Sequence, residues 1–214
     1  MKTLTFWFDP ISPYAYLAFE HLPQALEGCS YVVDYRPVLF AGLLGHWGQL
    51  GPAEIEPKRA WTFRHVAWQA HRLGIDMDTP AQHPFNPLAL LRLGLASAPA
   101  AGLPNRRVVE LLMRHAWRGA ADVNDAERLQ ALRAAVAPQR DPASEAVKAE
   151  LRAHTEVAIE RGVFGVPTIE LDGRLFWGLD ALPMVRAALS GESWFDGPAW
   201  AAAATAPPGV QRRE

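Results

Sequence analysis

Residues Leu4 to Phe8 form an unbroken apolar, β-prone run, and the next five residues, Asp9-Pro10-Ile11-Ser12-Pro13, stop it from continuing. An apolar run without polar alternation is the pattern of a strand buried on both faces. Pro10 and Pro13 have no amide hydrogen to give a sheet, so the chain must turn here. From Pro13 the spacing becomes helical and Gly28 ends it. Ser12 puts a hydroxyl at the N-cap of that helix, and Pro13 a preset φ at its first position.

The rest of the chain is organised around this strand, turn and helix. Tyr31 to Tyr35 reads as a second strand stopped by Pro37. From about Phe40 to Gly162 the pattern is helical: Ala60 to Leu73 closed by Gly74, Pro104 to Trp117 closed by Gly119, Asp125 to Val136 closed by Pro138. A further helix is opened by Asp141 and Pro142, runs to Arg161 and is closed by Gly162. Thr168 to Leu171 and Leu175 to Trp177 flank Asp172-Gly173, the strongest short signal for a β-hairpin. A last helix is expected from about Ala181 to Leu189. Without the helical stretch the order is β-α-β-α-β-β-α, which is thioredoxin topology. The expected class is therefore α/β, a thioredoxin-like fold with a large helical insertion. Residues 1–39 and 163–190 would form the sheet domain, with the helix at about 142–161 packed on it. Residues 40–141 would form the insertion, and 191–214 a partly disordered tail.

Composition removes several function classes. The 214 residues suit one compact domain with an insertion, half of them are apolar, and 21 basic against 23 acidic residues leave a formal charge of −2. With no basic surplus to neutralise phosphates, nucleic-acid binding is not expected. No stretch reaches the roughly 18 apolar residues of a membrane span, and the N-terminus lacks the core of a signal peptide. A cytoplasmic protein is the default expectation, which the single cysteine, Cys29, suits. Seven histidines are present, but no His-Glu-x-x-His or Cys/His cluster, so no metal is expected.

Three segments carry a resemblance: Phe6-Trp7-Phe8-Asp9-Pro10-Ile11-Ser12-Pro13-Tyr14-Ala15-Tyr16, Phe164-Gly165-Val166-Pro167-Thr168, and Trp177-Gly178-Leu179-Asp180. In this order and at these distances the chain, over about residues 3 to 189, resembles the 2-hydroxychromene-2-carboxylate isomerases and the kappa-class glutathione transferases. The resemblance implies the DsbA-like branch of thioredoxin folds, with a helical domain inserted into the sheet domain. It also implies glutathione as cosubstrate or catalytic thiol, a small aromatic or electrophilic second substrate, and a homodimer. Similar isomerases often show a Lys-x-x-Tyr step followed by Asp and Arg; here Lys58 leads to Trp61, and His65 and Trp68 stand at those two places.

Thioredoxin relatives place a cysteine at the N-cap of the first helix, where the dipole and free amides stabilise a thiolate. This chain has Ser12-Pro13-Tyr14-Ala15 there, and Cys29 lies 17 residues on, about 25 Å at 1.5 Å per helical residue. Disulfide exchange is thereby excluded as the activity. Ser12 either caps its helix and nothing more, or also donates a hydrogen bond to the sulfur of bound glutathione. By resemblance Pro13 and Tyr14 belong to the glutathione-binding residues. Val166-Pro167 matches the cis-proline step, at which Val166 would pair with the main chain of glutathione's cysteine; the plain alternative is a trans proline opening an edge strand. Leu179 and Asp180 would hold the γ-glutamyl end, although Asp180 also suits the N-cap of the last helix. Gln49 and Lys58 fall where the relatives offer an amide and a base to the peptide's other end. Asn86, between two prolines, is either a helix cap or faces the second substrate. Trp61 and Trp177, with Tyr14, Trp47 and Trp68, either supply an aromatic wall or belong to the core. The expected function is a glutathione-dependent isomerase, with a kappa-like transferase or a non-catalytic peptide-binding module as alternatives.

Overall fold

In the computed structural model, which describes residues 1–205 and 209, a four-stranded sheet has the order β2-β1-β3-β4. β1 (Lys2–Phe8) pairs in parallel with β2 (Tyr31–Pro37), and antiparallel with β3 (Thr168–Leu171), which pairs with β4 (Arg174–Trp177). The hairpin between β3 and β4 turns at Asp172 and Gly173, both at positive φ, as a two-residue hairpin requires.

β1 is buried on both faces because its alternating side chains enter different layers. Leu4, Phe6 and Phe8 pack with α1 (Pro13–Ala25) and α8 (Leu182–Leu189). Trp7 points the other way, to Ala158 on α7 (Glu145–Glu160) and to Val38, Leu43, Val163 and Val166. Its indole N–H donates to Glu170 Oε2 at 3.2 Å, and Glu170 also pairs with Arg161, so the buried carboxylate is partnered.

Between β2 and α7 lie α2 (Phe40–Trp47), α3 (Glu56–Leu73), α4 (Leu88–Ala96), α5 (Arg106–Trp117) and α6 (Ala126–Val136). α1 packs against α3 and α5, which brings the inserted helices to the turn that carries Ser12. α7 starts later than the sequence suggests. Ser144, not Asp141, is its N-cap, its Oγ accepting from Val147 N, while Asp141 Oδ1 accepts from Ala143 N in a turn just upstream. Of the expected disordered tail, residues 206–208 and 210–214 lie outside the described residues. Before them, α9 (Pro198–Ala203) carries Trp200 onto Phe176 and Phe195. No helix among the described residues is long and apolar enough to cross a membrane.

Candidate functional site at the head of the first helix

The turn between β1 and α1 is held from several directions. Asp9, wholly buried, accepts from Ile11 N through Oδ1 at 3.0 Å and from Phe40 N through Oδ2 at 2.9 Å. Trp117 Nε1 donates to Pro10 O at 2.7 Å, and His83 Nε2 donates to Ile11 O at 2.9 Å. Facing a carbonyl, that ring nitrogen must carry the proton; burial holds the His83 pKa down, so the ring stays neutral. The insertion thus supplies two of the donors that set the position of Ser12.

Ser12 is the N-cap of α1, its Oγ accepting from Ala15 N at 3.2 Å, with Pro13 buried at the first helical position. The same hydroxyl donates to Val166 O at 3.0 Å, so capping is only half of what it does. The Val166–Pro167 peptide bond is cis. Ser12 is 7% exposed and Val166 6%, so both sit at the floor of the surface and only a small group of a ligand reaches them.

Tyr14 is half-buried and its hydroxyl lies 2.8 Å from His65 Nδ1 on α3. Burial raises its pKa, and the nearby Asp180 carboxylate raises it further; at neutral pH it is a phenol. Trp177 lies over Gly165 and packs against Phe164 with ring centroids 5.0 Å apart. Gly178 N donates to Pro167 O at 2.9 Å, tying the 166–167 loop to the segment that carries Leu179 and Asp180.

The fold therefore brings Ser12, Pro13, Tyr14, Val166, Pro167, Trp177, Leu179 and Asp180 into one region. Asp180 does not cap α8, contrary to the sequence reading. A 3-10 turn over Leu179–Ala181 intervenes, α8 begins at Leu182 behind Ala181, and the exposed carboxylate makes no cap bond. It folds back toward Gly178 instead. Asn86 is exposed and its Oδ1 accepts from Leu88 N, so it shapes the turn before α4. Gln49, in the loop after α2, and Lys58, in the first turn of α3, are both exposed, with no side-chain hydrogen bond within the described residues. Trp61 is 64% exposed and stacks on His65; Trp47 donates its indole N–H to Val163 O. Asp9, His83 and Trp117 had no role in the sequence reading. For Asp9 a signal existed: a carboxylate ending a doubly buried strand has to find partners.

At Gly178, φ is +99° and a β-carbon would run into the Asp180 carboxylate. Gly178→Ala is expected to cost about 1–3 kcal/mol of stability from backbone strain, read as a lowered midpoint in thermal unfolding. An unchanged midpoint would mean that this turn relaxes freely.

A profile of the DSBA-like thioredoxin domain matches residues 3–190. The chain belongs to this family. It is 29% identical to a 2-hydroxychromene-2-carboxylate isomerase of Sphingobium xenophagum over 198 residues, 88% of this chain and 98% of that one. It is 26% identical to glutathione S-transferase kappa 1 of Rattus norvegicus over 217 residues, 90% and 92% of the two chains. The fold superposes on a solved 2-hydroxychromene-2-carboxylate isomerase with a TM-score of 0.76 at 23% identity, covering 88% of this chain and 94% of that one. The fold also superposes on a probable DsbA oxidoreductase of Streptomyces coelicolor with a TM-score of 0.63 at 21% identity, covering 90% of this chain and 91% of that one, while the N-cap residue of this chain's first helix is an alcohol.

Proposed function

We propose that this DSBA-like protein is a glutathione-dependent isomerase of the 2-hydroxychromene-2-carboxylate isomerase type, with Ser12 stabilising the thiolate of its cosubstrate. The observation that carries the reading is the Ser12 hydroxyl, at the N-cap of α1 and 3.0 Å from Val166 O. The names of the relatives over nearly the whole chain support it.

A free thiol has a pKa of about 8.5 and is mostly protonated at neutral pH. A hydroxyl donating to the sulfur anion contributes roughly 1.5–3 kcal/mol, and the helix N-terminus about 0.3–1 kcal/mol. At about 1.36 kcal/mol per unit, the thiol pKa falls by about 1.3–3 units. The one proton of Ser12 rests on Val166 O in the free protein. If the cysteine of glutathione pairs with Val166 as a strand would, its amide takes over that carbonyl and the hydroxyl turns to the sulfur. Pro13 and Tyr14 flank the sulfur, Leu179 and Asp180 hold the γ-glutamyl end by its ammonium group, and Gln49 and Lys58 meet the other end. Asn86, Trp61 and Trp177 border the second substrate, an aromatic compound with a conjugated carbonyl. The thiolate adds to the conjugated carbon, the adduct rotates or recloses, and the thiol leaves unchanged.

Thiolate absorbance in the ultraviolet on adding glutathione tests this. The wild-type protein is expected to give a thiolate signal at pH 7, and Ser12→Ala to bind glutathione with that signal largely lost. Equal signals would remove Ser12 from the chemistry, and no binding at all would favour a peptide-binding module. The similarity to kappa transferases supports a second reading, conjugation or reduction of an electrophile. Glutathione consumption separates the two: an isomerase needs it in catalytic amount, a transferase mole for mole.

A further inference from the structure

Four side chains, starting at Tyr14 and running along α3, form a chain of hydrogen bonds in which each orientation dictates the next. Arg72, on α3, donates from Nε and Nη2 to Gln69 Oε1 at 3.1 and 2.9 Å. A guanidinium has no acceptor, so the Gln69 oxygen must face it and the amide nitrogen must face the other way. That nitrogen lies 3.2 Å from His65 Nε2. An amide N–H only donates, so His65 Nε2 is the bare, accepting nitrogen of a neutral ring and the ring proton is on Nδ1. Nδ1 is 2.8 Å from the Tyr14 oxygen, and its N–H donates there. The Tyr14 hydroxyl, its oxygen already serving as acceptor, is left with its own proton free to donate elsewhere.

We propose that Tyr14 is a catalytic hydrogen-bond donor to the carbonyl oxygen of the second substrate, and that His65, set by Gln69 and Arg72, is the positioning residue that keeps its proton aimed there. The proposal rests on the glutathione reading above for its nucleophile. When a thiolate adds to a carbon conjugated with a carbonyl, the carbon–sulfur bond forms, the C=C pair shifts, and the C=O pair moves onto oxygen as an enolate. A donor in place at that oxygen stabilises the developing charge. If the Tyr14 proton crosses, the His65 N–H supports the phenolate left behind, and the proton returns as the carbon–sulfur bond breaks. No oxidant is needed.

One further observation favours the second substrate over glutathione as the partner of that proton. Tyr14 meets the site from the α3 side, where Trp61, His65 and Trp68 occupy one face at i, i+4 and i+7. Their rings stack with centroids 6.2 Å apart at each step, at 7° and 23°, and the two indoles are more than half exposed. They form an exposed aromatic row, with Arg72 over the Trp68 ring, against which an aromatic electrophile can rest next to the donor. Burial and Asp180, both raising its pKa, keep Tyr14 protonated as a donor must be.

Nitrogen-15 NMR of the imidazoles in the protein alone reads the tautomer, and His65 is expected to carry its proton on Nδ1. A proton on Nε2 overturns the relay whatever glutathione does. With saturating glutathione and 2-hydroxychromene-2-carboxylate, Tyr14→Phe is expected to lower kcat by about 100-fold, leaving the thiolate absorbance of bound glutathione as in wild type. His65→Asn, which keeps an N–H near the Nδ1 position, should retain most of the activity. His65→Leu should lose much of it, and the double variant with Tyr14→Phe should be no worse than Tyr14→Phe alone. An unchanged kcat in Tyr14→Phe, a loss of thiolate signal in that variant, an additive double variant, or a wild type inert toward the chromene each sinks the assignment. Absence of a thiolate signal in wild type would instead overturn the glutathione reading, and the tautomer would still decide the relay.

Discussion

Trp117→Ala is expected to lower the unfolding free energy by about 3–5 kcal/mol, the range for truncating a fully buried large aromatic residue. Trp117 has no exposed surface and ends α5 against Tyr16, with which it stacks, and against His83 and Phe85. Its indole N–H is the donor to Pro10 O, so alanine also leaves a carbonyl of the Ser12 turn without a partner. Trp117→Phe separates the two effects. It keeps much of the packing and loses the hydrogen bond, and should cost less, about 1–3 kcal/mol for the orphaned group. Chemical denaturation with equal m-values measures both. Similar costs for alanine and phenylalanine would put the whole effect in the hydrogen bond, and a negligible cost for both would mean that the turn is not held by the insertion. The prediction has a functional side. Because Trp117 and His83 both reach from the insertion to consecutive carbonyls of this turn, loosening either should blur the position of Ser12 and weaken the thiolate signal together with stability.

What the sequence made legible follows from how local each signal is. The strand, turn and helix around Ser12 could be read because an apolar run, two prolines and a cap residue act within a few positions of one another. The β3–β4 hairpin was legible for the same reason, since Asp172 and Gly173 are the residues that tolerate the positive φ found there. The start of α7 was misplaced because Asp141 and Ser144 are both good cap residues, three positions apart, and local chemistry does not choose between them. α4 had a start signal in the sequence, at Asn86 and Pro87, but no legible period or end. Leu90 and Leu93 enter one core cluster while Leu91 and Leu95 enter another, so the helix is buried on two faces and shows no polar stripe to mark its period.

At the site, the adjacent pairs Ser12-Pro13, Val166-Pro167 and Leu179-Asp180 were legible, and the resemblance joined them. The contacts that hold them were not. Tyr14 meets His65 51 positions away and Trp117 meets Pro10 107 positions away, and no periodicity encodes such pairings. His65 and Trp68 stood out only as departures from the relatives' pattern. The structure gives the departure a content: on α3 the His65 ring lies 2.8 Å from the Tyr14 hydroxyl, and an imidazole is able to donate there, where a carboxylate is able only to accept.

The second large effect concerns Asp9. Its carboxyl, completely buried, has a pKa pushed up to about 7 from 3.8 by loss of solvation, against the opposing pull of the Ile11 and Phe40 amides. The folded protein therefore holds this proton over a pH range in which the unfolded chain has already released it. Stability from this group is fully present below about pH 4, falls as pH rises, and is gone above about pH 7. The expected swing is on the order of 4 kcal/mol. Asp9→Asn removes the titration and, since an amide offers one oxygen to two N–H donors, leaves one of them facing an N–H at a cost of about 1–3 kcal/mol. Wild type should thus exceed Asp9→Asn in stability near pH 4, and the gap should narrow or reverse by about pH 8, as seen in denaturant titrations of both proteins across that range. A gap that stays constant would mean that Asp9 carries its charge throughout, with the two amides outweighing burial. Because those amides belong to Ile11 and to the first residue of α2, the same titration should reach the Ser12 turn. The thiolate absorbance of bound glutathione should then follow Asp9 ionisation in wild type, beyond the titration of the thiol itself, and lose that component in Asp9→Asn.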